Sequence, residues 1–142
     1  MCTSANSVTM LKWALENSDG VLFLPDRNLA INTARAIGIG EGEISYLEGD
    51  LFNKKYKLYI WPGHCDVHLN FRKQHIQYFR TKNPDARIIV HPECAPEVVE
   101  GADEWGSTSK IIKFVSSQPK GSKIAIGTEI NLVNRLKKTT QG

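Results

Sequence analysis

The sequence predicts an α/β fold in which short parallel strands are covered on both faces by helices and joined by right-handed crossovers. Three observations predict it. Four short apolar runs, residues 21–24, 57–61, 87–90 and 123–126, are rich in Ile, Val, Leu or Tyr and bounded by Gly or Pro, the pattern of strands buried on both faces. Helical patterns lie between the runs, so strand and helix alternate along the chain. Polar residues gather at one recurring place, just after a strand and before a helix.

The elements follow in order. Asn6 or Ser7 can cap a first helix carrying Val8, Leu11 and Leu15 on one face. The apolar run 21–24 is stopped by Pro25. A second helix spans 28–37 and is closed by Gly38. Residues 38–55 break the rhythm: Gly38, Gly40, Gly42 and Gly49 punctuate Glu41, Glu43, Glu48 and Asp50, and the stretch reads as an inserted surface loop near 39–55. Within it Ile44, Tyr46 and Leu47 are available to cover apolar surface. After the strand at 57–61, His75, Ile76 and Phe79 mark a helix ended before Pro84. The strand at 87–90 precedes a helix at 107–115, with Ile111, Ile112 and Val115 on one side behind a Ser/Thr cap. A strand at 123–126 and a helix at 130–136 complete the set. The strand–loop–helix unit repeats, with a seam near Cys65.

Composition bounds the function. The chain has 142 residues, 41% hydrophobic and 23% charged, which is the balance of a globular protein of ordinary domain size. Its net charge of +3, from 18 basic and 15 acidic residues, is mild. Basic residues are scattered apart from Arg135, Lys137 and Lys138, so a nucleic-acid partner is not expected. No apolar run is long enough to span a bilayer and no signal-peptide pattern opens the chain, so neither a membrane nor export is expected. The cysteines, Cys2, Cys65 and Cys94, form no CxxC pair and no disulfide framework. A reducing, cytoplasmic setting with free or metal-bound thiols is the expectation.

Five loops carry the candidate chemistry: Pro25-Asp26-Arg27-Asn28, Pro62-Gly63-His64-Cys65-Asp66-Val67-His68, His91-Pro92-Glu93-Cys94, Gly106-Ser107-Thr108-Ser109 and Gly127-Thr128-Glu129. In parallel sheets ligands bind beyond the carboxyl ends of the strands, where helix N-termini suit phosphates and carboxylates. Two loops are more specific. The second presents a thiol at a Gly/Pro turn near a helix N-terminus, which favours thiolate, with His68 three residues on. Spacing leaves three readings of it open: an inert buried Cys beside a surface His, a nucleophilic Cys/His pair, and a single metal-ligating Cys with partners elsewhere. In the third loop, His91 and Glu93 suit acid/base work or hydrogen bonds to substrate carboxylates; the alternative is a His capping the next helix with Glu93 solvated.

In this order the motifs resemble quinolinate synthase. The matching residues are Cys2-Thr3-Ser4-Ala5-Asn6, Phe23-Leu24-Pro25-Asp26 with Asn28-Leu29, and Trp61-Pro62-Gly63-His64-Cys65 with Val67-His68 and Phe71. They continue through His91-Pro92-Glu93-Cys94, Ala102-Asp103 with Gly106-Ser107-Thr108-Ser109, and Gly127-Thr128-Glu129. The resemblance covers nearly the whole chain except residues 39–55. It implies repeated small three-layer α/β domains with short parallel sheets, arranged around a pseudo-threefold axis. It also implies a transferase of NAD biosynthesis that condenses iminoaspartate with dihydroxyacetone phosphate to quinolinate. L-aspartate oxidase would supply the iminoaspartate. The family's cofactor is a 4Fe–4S cluster held by one cysteine from each domain, whose open iron acts as a Lewis acid in dehydration.

Carried over by motif, Cys65 is the cluster ligand, and His68 and Glu93 are catalytic. Ser4, Asn6, His91, Glu93, Ser107 and Thr108 bind substrate, while Cys2 and Cys94 match no ligand position. On this resemblance residues 1–65 are a middle domain and 66–142 a third domain incomplete at its C-terminus. An N-terminal domain and the two other cluster cysteines then lie outside the chain, and the isolated chain is expected to be inactive. Two other classes remain beside it: a non-catalytic anion-binding α/β module, and a hydrolase using Cys65 and His68 as nucleophile and base.

Overall fold

The computed structural model describes residues 2–47 and 56–140, which form two compact units, Met1–Cys65 and Asp66–Gly142. Both are α/β, each with a short three-stranded parallel sheet. Residues 48–55 of the expected insertion lie outside the described residues.

In the first unit, α1 (Ser7–Glu16) leads to β1 (Val21–Phe23), α2 (Arg27–Ala36), a single 3-10 turn (Glu41–Glu43), β2 (Ile44–Tyr46) and β3 (Leu58–Ile60). The strand order is β1-β3-β2, with Phe23 opposite Ile60 and Ile44 opposite Leu58. β3 is central, and its three residues, Leu58, Tyr59 and Ile60, are all buried, which is why it reads as an unbroken apolar run. Phe23, Ile44, Leu58 and Ile60 pack with Leu11 of α1 and with Leu29, Ala30, Ile31 and Ala34 of α2. Burial of each such large side chain contributes about 1.5–3 kcal/mol before entropy is counted. Asn6 occupies the N-cap position of α1, but its Oδ1 accepts the backbone N–H of Thr3 (2.7 Å) rather than capping the helix. Asp26 caps α2, and Gly38 closes it at a φ of 80° that an L side chain rarely adopts.

One expectation is corrected here. Ile44–Tyr46, read from sequence as part of an inserted loop, is a strand of the sheet. Three residues flanked by glycines and acids give no period to detect; pairing with β3 and burial of Ile44 against α2 and β3 hold the strand.

The second unit opens with a four-residue helix, α3 (Asp66–Leu69), and α4 (Lys73–Lys82). β4 (Arg87–Val90), α5 (Pro96–Gly101), β5 (Glu104–Trp105), α6 (Thr108–Ser116), β6 (Ile124–Gly127) and α7 (Ile130–Thr140) follow. The order β5-β4-β6 again places a mostly apolar strand in the centre, its last three residues buried and its first, Arg87, exposed. β4 alternates its faces: Ile88 and Val90 pack with Cys94, Val98, Ile76 and Phe79, while Ile89 packs with Ile111, Val115, Leu132 and Leu136. Helices therefore cover both faces, giving three layers. Two elements had no legible signal. β5 is only two residues, one of them Glu104, and α5 is six residues started by Pro96.

Candidate active site

Parallel pairing brings the carboxyl ends of β4 and β6 side by side, and the His91 N–H donates to the Gly127 carbonyl at 2.9 Å. The loop after β4 thus delivers His91 and Glu93 next to Thr128, the residue that follows β6. α3 brings His68 to the same place, where its ring is buried at 6% exposure. His68 Nδ1 lies 2.9 Å from Glu93 Oε2, and its Nε2 lies 3.3 Å from Thr128 Oγ1. A carboxylate only accepts, so Nδ1 carries the proton and Nε2 is left to accept the Thr128 hydroxyl. Thr128, His68 and Glu93 form one directed chain of hydrogen bonds.

His91 lies flat against His68, with ring centroids 4.4 Å apart and planes 11° from parallel. Its Nδ1 accepts the Glu93 backbone N–H at 3.3 Å and is 3.7 Å from the Glu93 carboxylate. Burial first, and then the neighbouring His68, push the His91 pKa down from 6.5 to about 4; the Glu93 charge opposes them without prevailing. His91 is therefore a neutral imidazole near pH 7. It does not cap α5, whose N-cap residue is Ala95, and the half-buried Glu93 carboxylate bonds His68. Thr128 also lines a cavity of about 380 Å³ with Val67, Asn70, Phe71, Ile130 and Val133.

Of the other four sequence candidates for substrate contact, Ser107 and Asn6 make local hydrogen bonds. Ser107 caps α6, accepting the Lys110 N–H at 3.4 Å and pairing with Ser109 Oγ at 3.0 Å, and Thr108 follows it as the exposed first residue of α6. In the first unit Ser4 sits half-buried in the turn before α1, and the Asn6 side chain closes that turn onto Thr3. Thr128 belongs to one of the five candidate loops but has no individual signal there, because a Thr after a strand commonly announces a helix cap. Its neighbour Glu129 does that work, accepting the N–H groups of Asn131 and Leu132 at 2.8 and 3.2 Å.

The three cysteines are in no disulfide and differ in environment. Cys2 is exposed. Cys94 is completely buried, with Sγ 3.6 Å from the Gly127 carbonyl that it faces as donor. Cys65 is half-buried at the end of the first unit, immediately before α3 rather than on its face. Its backbone N–H donates to Asp26 Oδ2 at 2.9 Å, so the loop that carries it is tied to the start of α2. The spacing-based image of a buried Cys beside a surface His is reversed: the His is buried and the Cys partly open.

Comparison with known proteins agrees with these motifs. A family model described as Quinolinate synthetase A protein matches residues 1–142. Among curated relatives named Quinolinate synthase, that of Geobacillus sp. (strain WCH70) is 47% identical over 143 residues, covering 94% of this chain and 38% of the relative. That of Staphylococcus carnosus (strain TM300) is 44% identical over 146 residues, covering 96% and 39%. That of Rhodopirellula baltica is 42% identical over 146 residues, covering 96% and 37%. The chain thus spans under two fifths of the length of these relatives. With its whole described length matched and its strand-end loops carrying the matching residues, the chain belongs to the quinolinate synthetase A protein family.

Proposed function

We propose that this chain serves the quinolinate synthase reaction of NAD biosynthesis, in which iminoaspartate and dihydroxyacetone phosphate condense to quinolinate with loss of phosphate and water. The observation that carries the reading is a buried His68 braced at both ring nitrogens, by Glu93 and by Thr128, at the carboxyl end of a parallel sheet. Such a sheet end is where small anionic substrates bind in α/β proteins. Structural histidines rarely need a carboxylate and a hydroxyl in line, whereas a residue that moves a proton does.

Each residue then has a role. Glu93 fixes the His68 tautomer and balances a positive charge on the ring when His68 takes a proton. His68 draws on the Thr128 hydroxyl, so Thr128 Oγ1 is where the relay ends towards the cavity. His91, neutral and stiffened by Pro92, offers a hydrogen bond to substrate without adding charge. Ser4, Asn6, Ser107 and Thr108, at the starts of α1 and α6, hold phosphate and carboxylate oxygens.

The donor set fits one corner of a 4Fe–4S cluster. Cys65 offers a free, partly open thiol on an anchored loop, while Cys94 is sealed in the core and Cys2 lies in the exposed segment before α1. Cys65 is the ligand this chain provides, and the other two come from outside it. When bound, the cluster supplies a Lewis-acidic iron for dehydration. A reducing cytoplasm suits three cysteines outside any disulfide, and L-aspartate oxidase is the fitting source of iminoaspartate. A hydrolase using Cys65 and His68 is disfavoured, because both nitrogens of His68 are already engaged.

The test is a chimera. The 142 residues replace the matching segment of the Geobacillus relative, and the reconstituted protein is assayed for quinolinate. Activity that vanishes with His68→Gln supports the reading. A chimera that folds, holds its cluster and makes no quinolinate overturns it.

A further inference from the structure

We infer that Asp26 is the positioning residue for Cys65, one carboxylate that caps α2 with one oxygen and holds the thiol-bearing loop with the other. Asp26 is 5% exposed. Its Oδ1 accepts the Leu29 N–H at 2.6 Å, and its Oδ2 accepts the Cys65 N–H at 2.9 Å. A second strap runs beside it, from the Arg27 N–H to the Gly63 carbonyl at 2.7 Å. Gly63 permits the approach, because a Cβ there would collide with the Pro25 carbonyl oxygen, a backbone atom that cannot swing aside. Residues 63–65 are thereby fastened to residues 25–27 at successive points.

The chemistry explains why the residue is Asp. A helix cap needs one acceptor, and Ser, Thr or Asn would provide it as well. Two backbone donors, one in the first turn of α2 and one on the Cys65 loop, need two acceptor oxygens on one short side chain, and only an ionised carboxylate presents them, with charge-assisted bonds to both. Burial of that charge is tolerable because both oxygens are satisfied. Asp26 takes the Cys65 backbone N–H and not its thiol, so the backbone carrying the thiol is what is fixed. A ligand preorganised in this way loses little freedom on binding a metal, and removal of such outer-shell partners typically weakens a metal site by about 10–100-fold.

The inference rests on the proposed reading of Cys65 as a cluster ligand, and the experiment separates the two. Asp26→Ser keeps a good N-cap but surrenders the second acceptor. In the chain with Cys2→Ser, the expected result is an unchanged melting temperature, loss of the downfield Cys65 amide resonance, and an altered rate of Cys65 alkylation by iodoacetamide. In the reconstituted Geobacillus chimera, Asp26→Ser should release iron to a chelator about 10–100-fold faster than the parent. A mere helix cap would move neither the resonance nor the release rate, and that outcome overturns the inference. If Ser lowers the melting temperature, Asp26→Asn, with the same volume and one acceptor oxygen, gives the same comparison. Cluster retention in a Cys65→Ser chimera would instead overturn the ligand reading, whatever Asp26 does.

Discussion

His68 and Glu93 are joined through Nδ1 and Oε2 at 2.9 Å, and the bond spans 25 residues of sequence. The carboxylate selects the Nδ1–H tautomer and so frees Nε2 for the Thr128 hydroxyl at 3.3 Å. Glu93→Gln keeps the shape but removes the charge that steadies a protonated ring. In the chimera it is expected to lower quinolinate formation by about 10²-fold or more, within the range general acid–base catalysis supplies. Thr128→Val removes the donor to a buried nitrogen and should cost about 1–3 kcal/mol of stability in this chain. Thr128→Ser keeps the hydroxyl and should restore most of that stability. Urea titrations and quinolinate assays of the three variants check this.

The pH dependence of stability follows from His91. Its imidazole stays neutral in the fold because its pKa is pushed from 6.5 to about 4, whereas in the unfolded chain it takes up a proton near its ordinary value. The unfolded state therefore binds more protons between these values, and stability falls as pH falls from about 6.5 to 4, with no contribution from this group above that window. The slope is bounded by about 1.4 kcal/mol per pH unit. His91→Asn should flatten that slope. Denaturant midpoints at pH 7 and pH 5 for both proteins decide it; equal slopes would remove His91 as the cause.

How much of this was legible from sequence follows from what each element rests on. β3 and β4 were visible because their buried stretches, Leu58–Ile60 and residues 88–90, are unbroken runs without a charge, and α6 because Ile111, Ile112 and Val115 keep a helical period. β2 and β5 were not: a three-residue and a two-residue edge strand owe their existence to a partner strand rather than to their own pattern. At the site, Cys65, His68, His91 and Glu93 stood out as residue types at strand ends. Thr128 and Asp26 did not, because a Thr or Asp before a helix has an ordinary use as a cap; only the tertiary hydrogen bonds show Thr128 on His68 and Asp26 divided between α2 and the Cys65 loop.

Asp103 shows the same kind of long-range tie in a purely structural setting. Its Oδ2 accepts the Ile88 N–H at 2.7 Å and its Oδ1 accepts Arg80 at 3.1 Å, while Arg80 also donates to the Gly101 carbonyl at 2.9 Å. Burial alone would raise this carboxyl, but the Ile88 N–H and the Arg80 charge outweigh it and hold its pKa below 3.8. Asp103→Asn is expected to cost about 1–2 kcal/mol at pH 7. A depressed carboxyl contributes its stability above its unfolded pKa and loses it as pH falls through the folded one, so the gap between parent and variant should close below about pH 3.8. Thermal unfolding of the pair across that range checks both the size and the sign.

The thiols make the last prediction, because the three differ in burial. In the folded chain iodoacetamide should modify Cys2 and Cys65 and spare Cys94, which has no exposed surface and faces the Gly127 carbonyl. Cys94 should react only after unfolding, and peptide mapping by mass spectrometry before and after urea reads this directly. The same environments limit what iron can do. A 4Fe–4S cluster needs several thiolates converging on one point; of the three cysteines here one is sealed in the core of the second unit, and another lies in an exposed segment ahead of α1. Incubation of the chain alone with iron and sulfide should therefore leave no stable, stoichiometric visible absorption after desalting. The chimera, in which the Geobacillus relative supplies the rest of the chain, should retain it and lose it with Cys65→Ser. A stable cluster on the lone chain would show that Cys65 is not acting as one ligand of a shared set.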